Sequence, residues 1–244
     1  MLPGKEYCVS EKGSLKFSEG IIAPEPDICR IKDALGVLYE KVEPSDEPLY
    51  YTYKGVYKKE DIFIFAENNL RYDITVLPPG KIGREYIKTL GHFHPKKNNG
   101  TDTYSEYYQV LLGEALFLLQ KNNLSGEVEE ITVVEAKKGD KVFIPPDYGH
   151  LAINPSEDFL VLANLASTES EEIFEPFQLK HGAAFYYIEG ENGKGDWVKN
   201  PNYKTSVGLK MKGAPNLEQP VQMVREKGLY ESFLEKPQEF NMLK

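Results

Sequence analysis

The chain has 244 residues, 41% of them hydrophobic, with 16 tyrosines and a formal net charge of −9. That length suits one large β domain or two small ones. The negative balance speaks against a general nucleic-acid or anionic-membrane partner, while local positive charge can still serve a small anionic substrate. No apolar run approaches the roughly 18 residues that cross a bilayer, and residues 1–13 lack the apolar core of a secretion signal. Cys8 and Cys29 do not form a metal-type pair, and free thiols fit a reducing, cytoplasmic setting.

Lys16-Phe17-Ser18-Glu19-Gly20 followed by Ile21-Ile22 predicts a short strand, a turn and a second strand. Pro24-Glu25-Pro26 then breaks the backbone. Asp27 suits an N-cap, and Ile28, Ile31, Leu35 and Leu38 recur beyond it at helical spacing, weakened by Gly36. From Leu49 the chain turns to β-prone runs at 49–57, 61–65 and 73–77, the last stopped by Pro78-Pro79-Gly80. Residues 85–88 lead into Gly91-His92-Phe93-His94. Runs at 104–112 and 114–120 follow, with Gly113 placed for a tight bend. A turn at 122–126 and runs at 128–134, 142–144, 150–153 and 159–163 complete the series. Short strands at about ten-residue intervals, uninterrupted by helical pattern, predict an all-β fold, an antiparallel double sheet closed toward a barrel. Residues 185–188 and 196–198 read as a hairpin around Glu191-Asn192-Gly193. Residues 204–215 read as loop, and 220–234 as a short amphipathic helix weakened at Gly228. The expected organisation is a single domain: N-terminal strands and a helix over 1–48, the barrel over 49–203, and an extension over 204–244.

His92 and His94 are the chemical centre of this pattern. Residues i and i+2 of a strand share a face, so both imidazoles look into one space. The chain has only 4 histidines. Glu106 within a predicted strand and His150 at a strand end reach the same space if the strands are neighbours, about 4.8 Å apart. Glu106 shares its face with Tyr104, Tyr108 and Val110. A face carrying Glu and two Tyr suits a polar pocket wall, because buried polar groups need partners. Three imidazoles and one carboxylate suit Fe, Mn, Ni or Zn. Taken singly, each residue has an ordinary reading: a strand histidine is usually structural, and Glu106 could pair with Lys88 or Arg84.

The spacing resembles the cupins. Their first motif is matched by His92-Phe93-His94, Glu106 and, after six residues, Gly113; their second by Gly139, Pro145, His150 and Asn154. Two positions depart. The spacer between His94 and Glu106 has eleven residues where three or four are usual, and Asp147 stands where the motif has glycine. A narrower resemblance is to the cupin-type glucose-6-phosphate isomerases. It is carried by Thr75-Val76-Leu77-Pro78-Pro79-Gly80-Lys81-Ile82-Gly83-Arg84-Glu85, by Thr89-Leu90-Gly91-His92-Phe93-His94, by Glu106-Tyr107-Tyr108, and by Ile144-Pro145-Pro146 running to His150 and Asn154. It covers about residues 14–205.

That resemblance implies a cupin double-stranded β-helix, jelly-roll-like, with a few peripheral helices. It implies interconversion of glucose 6-phosphate and fructose 6-phosphate at one divalent metal per subunit (Fe, Mn, Zn or Ni), in a homodimer. His92, His94, Glu106 and His150 would be the ligands. Thr75, Thr89 and Gly91 would lie beside the sugar phosphate and Tyr108 over the metal. Glu106 is the candidate proton shuttle on chemical grounds, while a hydride shift between C1 and C2 would need the metal but no carboxylate base; the sequence leaves both routes open. Lys81, Arg84, Lys88, Lys96 and Lys97 are the cations near in sequence, although ordinary solvated surface is their common role. The family's pocket-closing His/Tyr loop is not matched; residues 165–174 offer Ser167, Thr168, Glu171 and Phe174 instead, and His181 is expected at the surface. Two other functions fit the same ligands: a cupin Fe(II) dioxygenase, which needs an apolar pocket, and a non-catalytic sugar-phosphate-binding cupin. The Thr/Tyr/Lys surroundings favour the isomerase.

Overall fold

A computed structural model describes residues 6–98, 100, 102–204 and 207–244. Residues 1–5, Asn99 and Thr205, which the sequence expectations include, lie outside the described residues. Two sheets carry the fold. The six-stranded sheet runs, in spatial order, Lys141–Ile144, Glu106–Leu112, Leu160–Ser167, Leu70–Leu77, Pro48–Tyr53 and Asp27–Arg30. All its neighbours are antiparallel. The four-stranded sheet runs Tyr148–Ile153, Glu114–Asn122, Val128–Lys137 and Lys210–Gly213, the last pairing parallel. This is the double-sheet jelly-roll arrangement expected. The two sheets face one another without hydrogen bonds closing them into a barrel among the described residues.

Strand parity explains the layers. Even-numbered residues of the Glu106–Leu112 and Leu160–Ser167 strands point inward, and Val110, Leu160 and Leu162 meet Phe117, Leu119, Val134 and Ala152 from the facing sheet. Odd-numbered Tyr107, Val161, Ala163 and Leu165 point outward into a second core built with Val221, Leu229, Tyr230, Phe233 and Phe240. A third core covers the outside of the smaller sheet, where Leu118, Val133 and Leu151 meet Phe177, Ala184 and Tyr203. The middle of the large sheet is therefore covered on both faces, and every residue of Leu160–Ser167 is buried.

Several expectations needed correction. The run at 61–65 is not a strand: Ile62–Glu67 is a helix. A strand would put Phe63 and Phe65 on one face, whereas here Phe65 is buried and Phe63 is 73% exposed. The Phe65 ring packs against Tyr57, Tyr230 and Phe233. Asp27 does not cap a helix. Asp27–Arg30 is a strand, and only then do the Ile31–Ala34 helix and a 3-10 turn Leu35–Val37 bury Ile31, Ala34 and Val37. Part of the predicted loop at 204–215 is the strand Lys210–Gly213, recruited by the free edge of Val128–Lys137. The predicted helix at 220–234 is split at Gly228 into a 3-10 turn, Gln222–Arg225, and a helix, Leu229–Glu235, followed by a further 3-10 segment, Pro237–Leu243. The hairpin around Glu191-Asn192-Gly193 forms as expected, between Phe185–Glu189 and Gly195–Lys199.

Gly113 carries the chain from one sheet to the other in a single residue, between Glu106–Leu112 and Glu114–Asn122. Its φ is +81°, and a Cβ there would lie 2.6 Å from the Phe159 carbonyl oxygen. Asp147, at the motif's glycine position, adopts φ +69°, so aspartate supplies the left-handed turn that glycine would. Gly113→Ala is expected to lower unfolding free energy by about 2 kcal/mol, read from urea denaturation midpoints.

Candidate metal centre

The inner faces of three adjacent strands change character along their length. Leu77, Val110 and Leu162 are apolar core. One or two pleats on, the same faces carry Asp73 and Thr75, Glu106 and Tyr108, and Asn164. The sandwich thus ends in a polar pocket. It encloses about 560 Å³ of non-protein space, part of it open to solvent.

His92 and His150 form a reciprocal backbone pair, with N–H to carbonyl distances of 3.1 and 2.9 Å. Their rings meet at 4.4 Å between centroids. Phe93 makes the matching pair with Ile173, and its ring turns away to pack on Phe177. The segment is thus held on both sides by isolated bridges rather than by a regular strand, yet the alternation predicted from sequence holds. Gly91 just before it has φ +77°, and a Cβ would come within 3.1 Å of Leu151 and Phe177.

One ligand atom from each of His92, His94, Glu106 and His150 lies within 4.8 Å of the other three. His92 Nε2 and His94 Nε2 are 3.1 Å apart. Glu106 Oε2 stands 3.2 Å from His150 Nε2 and 3.5 Å from His94 Nε2. His94 Nδ1 lies 2.9 Å from the Tyr104 carbonyl oxygen. A carbonyl only accepts, so Nδ1 carries the proton and the Nε2 lone pair faces the cluster. Glu106 Oε2 is buried without a hydrogen-bond partner. An orphaned carboxylate oxygen amid imidazole nitrogens is costly unless a cation sits between them. The donor set therefore fits a divalent metal, and the group could hold one.

The other carboxylate oxygen is anchored. Asn164 Nδ2 donates to Glu106 Oε1 at 2.5 Å, and approaches Asp73 Oδ2 at 3.5 Å. Arg71 Nε donates to that same Asp73 oxygen at 2.8 Å, and the Gly55 N–H donates to Asp73 Oδ1 at 2.8 Å. Burial alone would push the Glu106 carboxyl up, but His150 and His94 outweigh it and hold it well below the usual carboxylate range. Burial lowers His94, but Glu106 and the Tyr104 carbonyl more than offset this, leaving it raised. His92 falls well below the ordinary imidazole value, through burial first and its histidine neighbours second. Burial also lowers His150, with Glu106 opposing.

Thr75, Thr89, Gly91 and Tyr108 all line the pocket, together with His92, His94 and Glu106. The Tyr108 hydroxyl lies 3.2 Å from His150 Nε2. The Thr89 hydroxyl accepts the Ala152 N–H at 3.0 Å, so its own proton is free to donate. Thr52 and Thr75 hydroxyls are 3.3 Å apart. The cations singled out from sequence do not gather here. Lys81 pairs with Glu189, Arg84 with Glu40, Lys88 with buried Glu85, and Lys97 donates to the Met242 carbonyl; Lys96 is exposed. Arg71 borders the pocket instead. Sequence reasoning missed Arg71, Asp73 and Asn164, although Arg71 and Asp73 share Thr75's strand face by period two. It also missed Glu172, which lines the pocket and pairs with Lys54 at 3.2 Å. Phe174, noted in the sequence, stands 6.0 Å from the His92 ring. His181 is exposed, as expected. Asn154 proves structural: its amide donates to the Leu77, Pro78 and Asp158 carbonyls.

The sequence model of the glucose-6-phosphate isomerase family matches residues 27–206. The chain belongs to that family. It is 27% identical over 195 residues to a glucose-6-phosphate isomerase of Pyrococcus abyssi, covering 78% of this chain and 94% of that one. It is 34% identical over 126 residues to one of Thermococcus gammatolerans, covering 51% and 58%. Among solved structures, an oxalate oxidase with the substrate analogue glycolate is similar at 18% identity and a TM-score of 0.36, over 46% of this chain and 49% of that one. The family match spans both histidine motifs, Glu106 and the pocket wall, and ends where the C-terminal extension begins.

Two outcomes are expected. Asn164→Ala, which frees Glu106 Oε1, should weaken metal binding about ten- to hundred-fold in chelator competition. Metal binding should also weaken as pH falls from about 8 to about 6, because the metal requires neutral imidazoles. His94, held above the ordinary imidazole value while His92 and His150 are held below it, should take up the first proton as pH falls.

Proposed function

We propose that this chain is a metal-dependent aldose–ketose isomerase interconverting glucose 6-phosphate and fructose 6-phosphate. One observation supports it above the rest: a family member places a three-histidine, one-carboxylate cluster at the floor of a pocket walled by hydroxyls, an amide and a carboxylate. The ligands we assign are His92, His94, Glu106 and His150. Iron, manganese, zinc or nickel suits that set. When bound, the metal would polarise the substrate carbonyl and offset charge developing on the neighbouring oxygens.

The chain's own residues supply the remainder. Glu106 is the base that takes the proton from the hydroxyl-bearing carbon next to the carbonyl and returns it to the carbonyl carbon, while the hydroxyl proton passes from that carbon's oxygen to the former carbonyl oxygen. It is ionised, as a base must be, and Asn164 holds its Oε1 in place. Tyr108 stays neutral, burial pushing its phenol well above the ordinary value, so its hydroxyl can donate to a sugar oxygen. Thr75, Thr89 and the backbone at Gly91 receive the phosphate through neutral donors. Phe174, against His92, shields the reacting carbons from water. The pocket wall is polar at Thr52, Asp73 and Asn164, which disfavours a dioxygenase needing an apolar lining. Free thiols at Cys8 and Cys29 support a cytoplasmic setting, and the family resemblance supports a homodimer.

The purified protein given fructose 6-phosphate, glucose-6-phosphate dehydrogenase and NADP should form NADPH in a chelator-sensitive way. No signal after adding back iron, manganese, zinc and nickel in turn sinks the isomerase reading. Glu106→Gln should keep the fold by circular dichroism and lose about 10²–10⁴-fold in kcat. Turnover near that of the parent would exclude Glu106 as base and point to a hydride shift between the two carbons.

A further inference from the structure

The ligand strand Glu106–Leu112 has a second face that the proposed chemistry does not use. Ser105, Tyr107 and Gln109 alternate with the pocket residues and point outward. Each is buried, at 1%, 0% and 2% exposure. A buried hydroxyl, phenol and amide need partners. The C-terminal extension supplies one to each. Ser105 Oγ donates to the Met242 carbonyl at 3.0 Å. The Val221 N–H donates to Tyr107 Oη at 3.1 Å, and the Leu229 N–H to Gln109 Oε1 at 2.7 Å.

The Met242 carbonyl takes a second donor, Lys97 Nζ, at 2.6 Å. Lys97 and Ser105 stand on opposite limbs of the long spacer between His94 and Glu106. The limbs are paired by Lys97 N–H to Asp102 carbonyl and Tyr104 N–H to Pro95 carbonyl, at 2.9 and 3.2 Å. One carbonyl thus pins both limbs. Ser105 also lies directly between Tyr104, whose carbonyl orients His94, and Glu106 itself. The spacer departs in length from the cupin motif, and the extension lies beyond the family match at 27–206. Both features of this chain meet at Met242.

We infer that the C-terminal extension is a clamp that positions His94 and Glu106, and so sets how tightly the centre holds its metal. Lys97 and Ser105 are positioning residues: their side chains do not line the pocket, and they act through the limbs that carry the two ligands. The inference rests on the metal reading above.

The test uses the full chain loaded with zinc, following zinc release to a chromogenic chelator and the unfolding temperature of the metal-free protein. The double variant Lys97→Met, Ser105→Ala removes both donors to Met242. Ile131→Val, a core trim in the opposite sheet where the residue is 0% exposed, is the stability control. The double variant should release zinc about ten-fold faster or more than an equally destabilised Ile131→Val protein, and Ser105→Thr alone should keep the parent's rate. A double variant whose release matches Ile131→Val at equal metal-free stability overturns the clamp. A parent protein that retains no zinc, manganese, iron or nickel overturns the metal reading and the clamp with it.

Discussion

Four lone-pair atoms crowded into one buried space form the constraint on which the rest of this structure depends. Three imidazole nitrogens and Glu106 Oε2, within 4.8 Å, repel one another unless a cation or protons intervene. Glu106 and its histidine neighbours attract one another only where a proton or a cation lies between them, so the surrounding chain holds the cluster together. The reciprocal His92–His150 backbone pair does so on one side. The Tyr104 carbonyl fixes His94, and Asn164 fixes the far oxygen of Glu106. The last two of these bonds point a lone pair inward, which is what prepares a site for a metal.

The sandwich provides the rigidity that such holding requires. The central strands of the large sheet carry an apolar core on each side, so they cannot slide by one residue without exchanging the residues of the two faces. The pocket is the polar end of the same inward faces that form the apolar core. Catalytic geometry and stability therefore share one register. The Arg71–Asp73–Asn164–Glu106 chain of contacts crosses three adjacent strands at that boundary. It joins the partly buried Arg71 cation at the pocket edge to the carboxylate that carries the proposed chemistry.

The four clustered side chains were legible in the sequence as candidate ligands because they obey local rules. His92 and His94 share a side by period two, and Glu106 is marked by its distance to Gly113. That glycine is needed where the chain changes sheets at φ +81°. The hairpin around Gly193 followed from its turn residues in the same way. The run at 61–65 was misread because its composition suits either state; Phe65 chose the helix by packing on Tyr230 and Phe233, more than 160 positions away. The charged residues flanking the histidines were misplaced for a similar reason. Lys81, Arg84 and Lys88 found carboxylates outside the pocket.

The sequence by itself determined which atoms could meet a metal, the alternation of the strands that carry them, and the turns where only a left-handed backbone fits. Those are consequences of spacing along one chain. Only the tertiary structure decided which groups hold those atoms in place. Asn164 reaches Glu106 across 58 positions, and the Met242 carbonyl reaches Ser105 across 137. No periodicity encodes such contacts, because they exist only once strand order and the path of the C-terminal extension have brought the partners to hydrogen-bonding distance.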